Sequence, residues 1–196
     1  MIKLRKTLFF LILVNTALYA YSNIYIINTD KLPDNGAFNQ NMRTLLSFNQ
    51  YINHWTNEWN YPVDKSVIIT FLKAFHNGIV SINTINDYEL NLLDVVIMTY
   101  LYNLNETNYF NDISVTVEKM KNDFPDEYRT YWISGNFLIS AARPMNGFDE
   151  FKSIFAVFDY NMDFFPVEFL DDYAYACIMN QMLRSGMEHT HDRNKQ

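Results

Sequence analysis

The chain has a single cysteine, Cys177, so it can form no intrachain disulfide and its fold must stand on packing alone. That thiol lies in an apolar run and reads as a small core filler. Positive charge is scarce: 15 Lys and Arg stand against 22 Asp and Glu, for a net charge of −7. Three of the cations, Lys3, Arg5 and Lys6, fall within the first twenty residues, so the remainder is more acidic still. An acidic surface repels phosphate backbones, and no basic stripe with interleaved aromatics is present, so no nucleic-acid partner is expected. The usual catalytic signatures are missing too: no Ser-His-Asp order, no phosphate-cradling glycine loop and no HExxH helix. No catalytic, cofactor-binding or metal-ligating residue is assigned, and the chain is read as a non-enzyme.

What is present is apolar and aromatic. A chain of 196 residues with 49% apolar and 19% charged residues is globular rather than disordered, and long enough to bury a substantial core. Its 16 Phe, 14 Tyr and 3 Trp are an unusual load, whose plain use is to fill that core. Asparagine is abundant as well. It favours turns and caps over helix interiors.

The N-terminus reads as an export signal over residues 1–20. Lys3, Arg5 and Lys6 supply the positive start, LFFLILV (Leu8 to Val14) the apolar centre, and Ala17 and Ala20 small residues for cleavage after Ala20. The alternative is an uncleaved anchor, which would place the protein on a membrane. Asn15, Thr16, Ser22 and Asn23 interrupt the apolar run, whereas a spanning helix wants about 20 predominantly apolar residues. The expected location is therefore periplasmic, cell-envelope or secreted. Residues 21–40, with NTDKLPDNGAFN from Asn28 to Asn39, read as a linker.

Beyond it, apolar residues recur at helical spacing. A first helix is predicted from Asn41 to Trp59, ended by Tyr61-Pro62. A second, capped by Asp64, ends near Asn77-Gly78, with IVSINTIND as helix end and loop. Further helices are predicted over Tyr88 to Asn103, Tyr109 to Asp123, Asp126 to Ala142, Phe148 to Asn161 and Pro166 to Arg184. ARPMNG is the turn before the sixth, and residues 185–196 a frayed polar tail. Residues 41–184 thus make one all-α domain of about seven helices.

The pair from Leu92 to Pro125 repeats after about 34 residues. Ile97, Tyr100, Leu101 and Leu104 mark its first helix, Ile113, Val117 and Met120 its second, and Pro125 its close. Tyr131, Ser134, Gly135 and Leu138 mark the next first helix, and Leu170, Tyr173, Ala174 and Cys177 a third, which lacks a convincing second helix. This pattern resembles the tetratricopeptide repeat family. Leu101 departs from it by being bulky where a small residue is favoured, and the second unit is about five residues too long for the roughly 34-residue period. The resemblance implies an α-solenoid of stacked antiparallel hairpins, with Gly135 and Ala174 at points of close backbone approach. The alternative is a compact helical bundle.

The resemblance also implies a partner groove along the first helices, lined by Met98, Tyr102, Arg129, Trp132, Asn136, Asp171 and Tyr175, with Ile139 and Glu168 beside them. Such a groove is aromatic and poor in cations, suited to a protein or peptide segment rather than a peptide carboxylate. The plain alternative makes Trp132 and Tyr102 core residues. The acidic pairs Asp126-Glu127, Asp149-Glu150 and Asp171-Asp172 read as helix-capping or solvated groups. His189, His191 and Asp192 have no second cluster with which to build a metal site, and His54 and His76 read as packing or surface residues. Asn105-Glu106-Thr107 is a glycosylation sequon of a kind expected by chance in an Asn-rich chain. The leading expectation is an exported, non-enzymatic protein-binding module. The alternative is a helical-bundle enzyme or small-ligand carrier with an aromatic pocket.

Overall fold

The computed structural model describes residues 26–54, 64–158 and 165–193. The expected export signal lies outside these residues, as do the expected ends of the first and sixth helices at Trp59 and Asn161. The described residues are all-α: one short 3-10 turn (Thr29–Lys31) and seven α-helices. These are α1 (Gly36–His54), α2 (Lys65–Ile82), α3 (Tyr88–Asn103), α4 (Tyr109–Asp123), α5 (Tyr128–Ser140), α6 (Pro144–Phe158) and α7 (Val167–Arg193). Packing runs mainly between sequential helices, as in stacked helical hairpins. The region read as one domain comprises two compact units that divide between Pro125, the expected closing proline, and Asp126.

In the first unit α3 packs on both α2 and α4, and α1 on α2. Burial on two sides explains why every residue from Leu92 to Leu101 is buried, Asp94 and Thr99 included. Helices α2 and α4 each bury one stripe, Ile68, Leu72, Phe75 and Ile79 in α2 and Tyr109, Ile113, Val117 and Met120 in α4. Side-chain caps set the starts. Asp64 Oδ1 accepts from the Ser66 amide at 2.8 Å, and Asp87 Oδ1 from the Leu90 amide at 3.0 Å.

Two boundaries differ from the sequence pattern. Helix α1 starts at Gly36 rather than Asn41, because Asn35 Oδ1 caps the Phe38 amide at 2.9 Å and Phe38 is buried. The stretch before it is tied down: Ile26 and Ile27 are buried, and the Asn28 amide donates to the Glu89 carboxylate at 3.0 Å. Helix α2 continues through Gly78 to Ile82, since Ile79 docks in the core and outweighs the cost of about 1 kcal/mol for a mid-helix glycine.

In the second unit α5 packs closely on α6, α6 on α7, and α7 also reaches α5. The α5–α6 turn is a Schellman motif. The Arg143 amide donates to Leu138 O at 2.8 Å, the Ala142 amide to Ile139 O at 3.1 Å, and Ala142 takes φ 59°. The same motif closes α3, with Asn105 at φ 76°. Pro144 opens α6 at the first helical position, where its missing N–H costs nothing, so most of ARPMNG belongs to the helix. Gly147 thereby comes to face Gly135. A Cβ on Gly135 would lie 2.6 Å from Phe151 Cε2, and one on Gly147 2.7 Å from the Gly135 carbonyl oxygen. The close approach expected at Gly135 is present. Helix α7 runs on to Arg193 through the region expected to fray. Among the described residues, no helix is long and apolar enough to cross a membrane.

Candidate functional site

The second unit holds a buried polar triad. Trp132 and Asn136 stand one turn apart on α5, and both reach Asp172 on α7. Trp132 Nε1–H donates to Asp172 Oδ2 at 2.7 Å, and Asn136 Nδ2–H to the same oxygen at 2.7 Å. Aromatic rings surround it. Phe169 lies 5.4 Å from Trp132 and 4.3 Å from Phe165, Tyr128 stacks on Trp132 at 6.5 Å, and Phe155 meets Tyr173 at 4.9 Å. Burial in these surroundings pushes the Asp172 carboxyl up to about 6, against the two hydrogen bonds, which favour its charged form. A carboxylate among neutral donors and rings has no cation to offset the loss of water.

Helix α7 carries a second feature on its opposite side. Its inward face consists of Phe169, Asp172, Ala176 and Asn180, all buried. Its outward face, at the helical spacing of Val167, Asp171, Ala174, Ile178 and Met182, is exposed, with Val167 63% and Ile178 56% accessible. The helix is apolar on both sides.

The first unit has its own polar cluster. His76 on α2 and Asp94 on α3 meet at 2.6 Å (Nδ1 to Oδ1), and the Tyr109 ring stands edge-on to the imidazole at 5.6 Å. The hydrogen bond to Asp94 raises the His76 pKa, and burial raises that of Asp94. One turn earlier on α2, Lys73 pairs with Glu106 at 2.7 Å. A histidine held through Nδ1 by a carboxylate is fixed in orientation, as in proton-transfer and metal-binding sites. Among the described residues, however, no three His, Cys, Asp or Glu side chains converge to hold a metal ion.

The seven residues expected to line a groove fall into two sets. Met98, Trp132 and Asn136 are buried within their own units. Tyr102, beside Phe110 at 5.9 Å, is half-buried, as are Arg129, paired with Glu127 at 3.1 Å, and Tyr175. Asp171 is exposed. Asp171 and Tyr175 share the outward side of α7, while Trp132 and Asn136 share the triad. Of the two residues beside the groove, Ile139 is buried and Glu168 exposed.

Two features escaped the sequence reading. The sequence pattern groups Asp172 with Asp171 among capping or solvated acids, yet it points inward. A helix apolar on both faces has no periodicity to say which aspartate is buried. In the sequence His76 stands alone, and its partner Asp94 lies on another helix, where only the fold brings it near. No protein-family model, no curated protein and no solved structure matches this chain.

Proposed function

We propose that the protein is a non-enzymatic interaction module, a diverged tetratricopeptide-like stack acting after export, which holds a segment of another protein on the outward face of α7. One observation carries this reading: α7, whose inner face is packed in the core, exposes a second apolar face through Val167, Ala174 and Ile178. A helix face left to water is normally polar. An apolar face there is a surface for a partner. Asp171 lies within it and Tyr175 borders it, adding a charge and a stiff aromatic, which suit recognition of a protein segment. The positive and apolar N-terminal sequence supports an exported location.

Affinity capture from the exported fraction tests the reading. Ile178→Glu, at an exposed position, is expected to keep the helical circular dichroism of the wild type and to lose the captured partner. Capture of the same partner by both proteins would refute it. Trp132→Ala serves as the contrast, since it strikes the core and is expected to unfold the second unit.

One observation favours a second reading, a small-ligand carrier. Asp172 stands among aromatic rings, a combination that recognises organic cations. An alkylammonium ion that raises the melting temperature of the wild type but not of Asp172→Asn would support this reading over the first.

A further inference from the structure

The second unit contains a template for what covers α7. In the repeat register Gly135 and Ile139 of α5 correspond to Ala174 and Ile178 of α7. On α5 these two residues receive α6. A Cβ on Gly135 would strike Phe151 and lie 3.2 Å from the Gly147 carbonyl oxygen, and a Cβ on Gly147 would lie 2.6 Å from Ile139 Cγ1. Both α5 residues are buried. On α7 both counterparts are exposed. Among the described residues, helix α7 therefore offers the surface of a hairpin's first helix with no second helix on it, and the small side chain of Ala174 leaves room for a close backbone.

The size and charge of the face narrow its occupant. The exposed stripe from Val167 to Met182 rises about 24 Å at 1.5 Å per residue, close to the length of α6, which has 15 residues. Glu168 and Asp171 are exposed at its N-terminal end, and no lysine or arginine occurs from Val167 to Leu183. Opposite charge at the rim of an apolar contact steers and registers a partner. A second copy of this chain would bring the same acids and a further net charge of −7.

We infer that the partner segment is a single amphipathic helix of about four turns, small at its centre and basic at one end, which adds to α7 as the second helix of a hairpin. This inference rests on the protein-binding reading above and deepens it by naming the partner's form and charge.

The test uses the full chain and two helix-stabilised peptides, alike in an Ala/Leu stripe but carrying either lysines or glutamates at one end. Binding is followed by fluorescence anisotropy, and self-association by sedimentation velocity. The lysine peptide is expected to bind the wild type, to bind Ile178→Glu at least tenfold more weakly, and to outcompete the glutamate peptide at least fivefold. The double variant Glu168→Lys/Asp171→Lys is expected to reverse that preference. Equal binding of the two peptides, with loss in Ile178→Glu, would overturn the charge assignment while leaving α7 a helix-binding face. No binding of either peptide, or binding indifferent to Ile178→Glu, would overturn the inference together with the α7 reading. A wild-type dimer that Ile178→Glu dissociates would overturn it by giving the face to a second copy.

Discussion

In the first unit the buried carboxylate of Asp94 meets an imidazole, whereas in the second that of Asp172 meets only the neutral N–H groups of Trp132 and Asn136. The hairpins differ as well. At matched positions α3 has Leu101, completely buried, where α5 has Gly135 against the α6 backbone. One hairpin fills its joint with a side chain and the other removes the side chain and brings the backbones together. The two hairpins are thus joined by two different packing solutions. Each leaves a distinct weak point: a cavity-prone leucine in one unit, and an overpacking-prone glycine and an uncompensated charge in the other.

The joints offer the largest contrast. Leu101→Ala is expected to cost about 3 kcal/mol through loss of buried surface and the cavity left behind. Gly135→Leu is expected to cost about the same by the opposite route, driving a side chain into Phe151. Urea unfolding of both variants measures this, and a Gly135→Leu chain as stable as the wild type would remove the close approach from the account.

Titration separates Asp172 from His76. The Asp172 carboxyl is pushed from its ordinary 3.8 up to about 6 in the fold, so between those values the folded state holds a proton there that the unfolded chain has released. The associated stability is complete below the lower value and is lost as pH rises through the higher one, a decline of roughly 3 kcal/mol. Asp172→Asn keeps an oxygen acceptor and is expected to flatten that decline. The His76 pKa is raised above 6.5, so its stabilisation is present below that value and fades as pH rises through the folded one. The two slopes therefore have the same sign but lie in successive windows, and urea midpoints across pH 4 to 8 resolve them.

Trp132→Phe comes next. It keeps the ring contacts but withdraws one donor from the buried carboxylate, at a cost of about 2 kcal/mol near neutral pH. The loss should shrink when Asp172 is protonated, and an equal loss at pH 4 and pH 7 would deny the indole a role in holding the charge. The smallest effect belongs to the matched turns. Ala142→Gly relieves a left-handed alanine and is expected to gain about 0.5–1 kcal/mol, while Asn105→Gly changes little because asparagine tolerates that conformation.

Helix class and the bounds of α3 and α4 were legible because a clear apolar pattern ends at strong local signals, with Asp87 before α3 and a left-handed asparagine after it. The close approach at Gly135 was legible from the repeat. The start of α1 and the run of α2 through Gly78 were not, since local propensity there opposes a helix that burial of Phe38 and Ile79 sustains. The triad was half legible: Trp132 and Asn136 stood out, but their acceptor did not. Partners across two helices are a property of the fold, and no spacing within one helix records them.

The all-round burial of α3 has a consequence for how the first unit moves. A helix covered on one side can fray locally, but Leu92 to Leu101 lose their cover only when the packing on both α2 and α4 is broken. Their amides should therefore exchange with deuterium only through complete opening of the unit, and at nearly one common rate. Helix α7, exposed along a whole face, should exchange turn by turn.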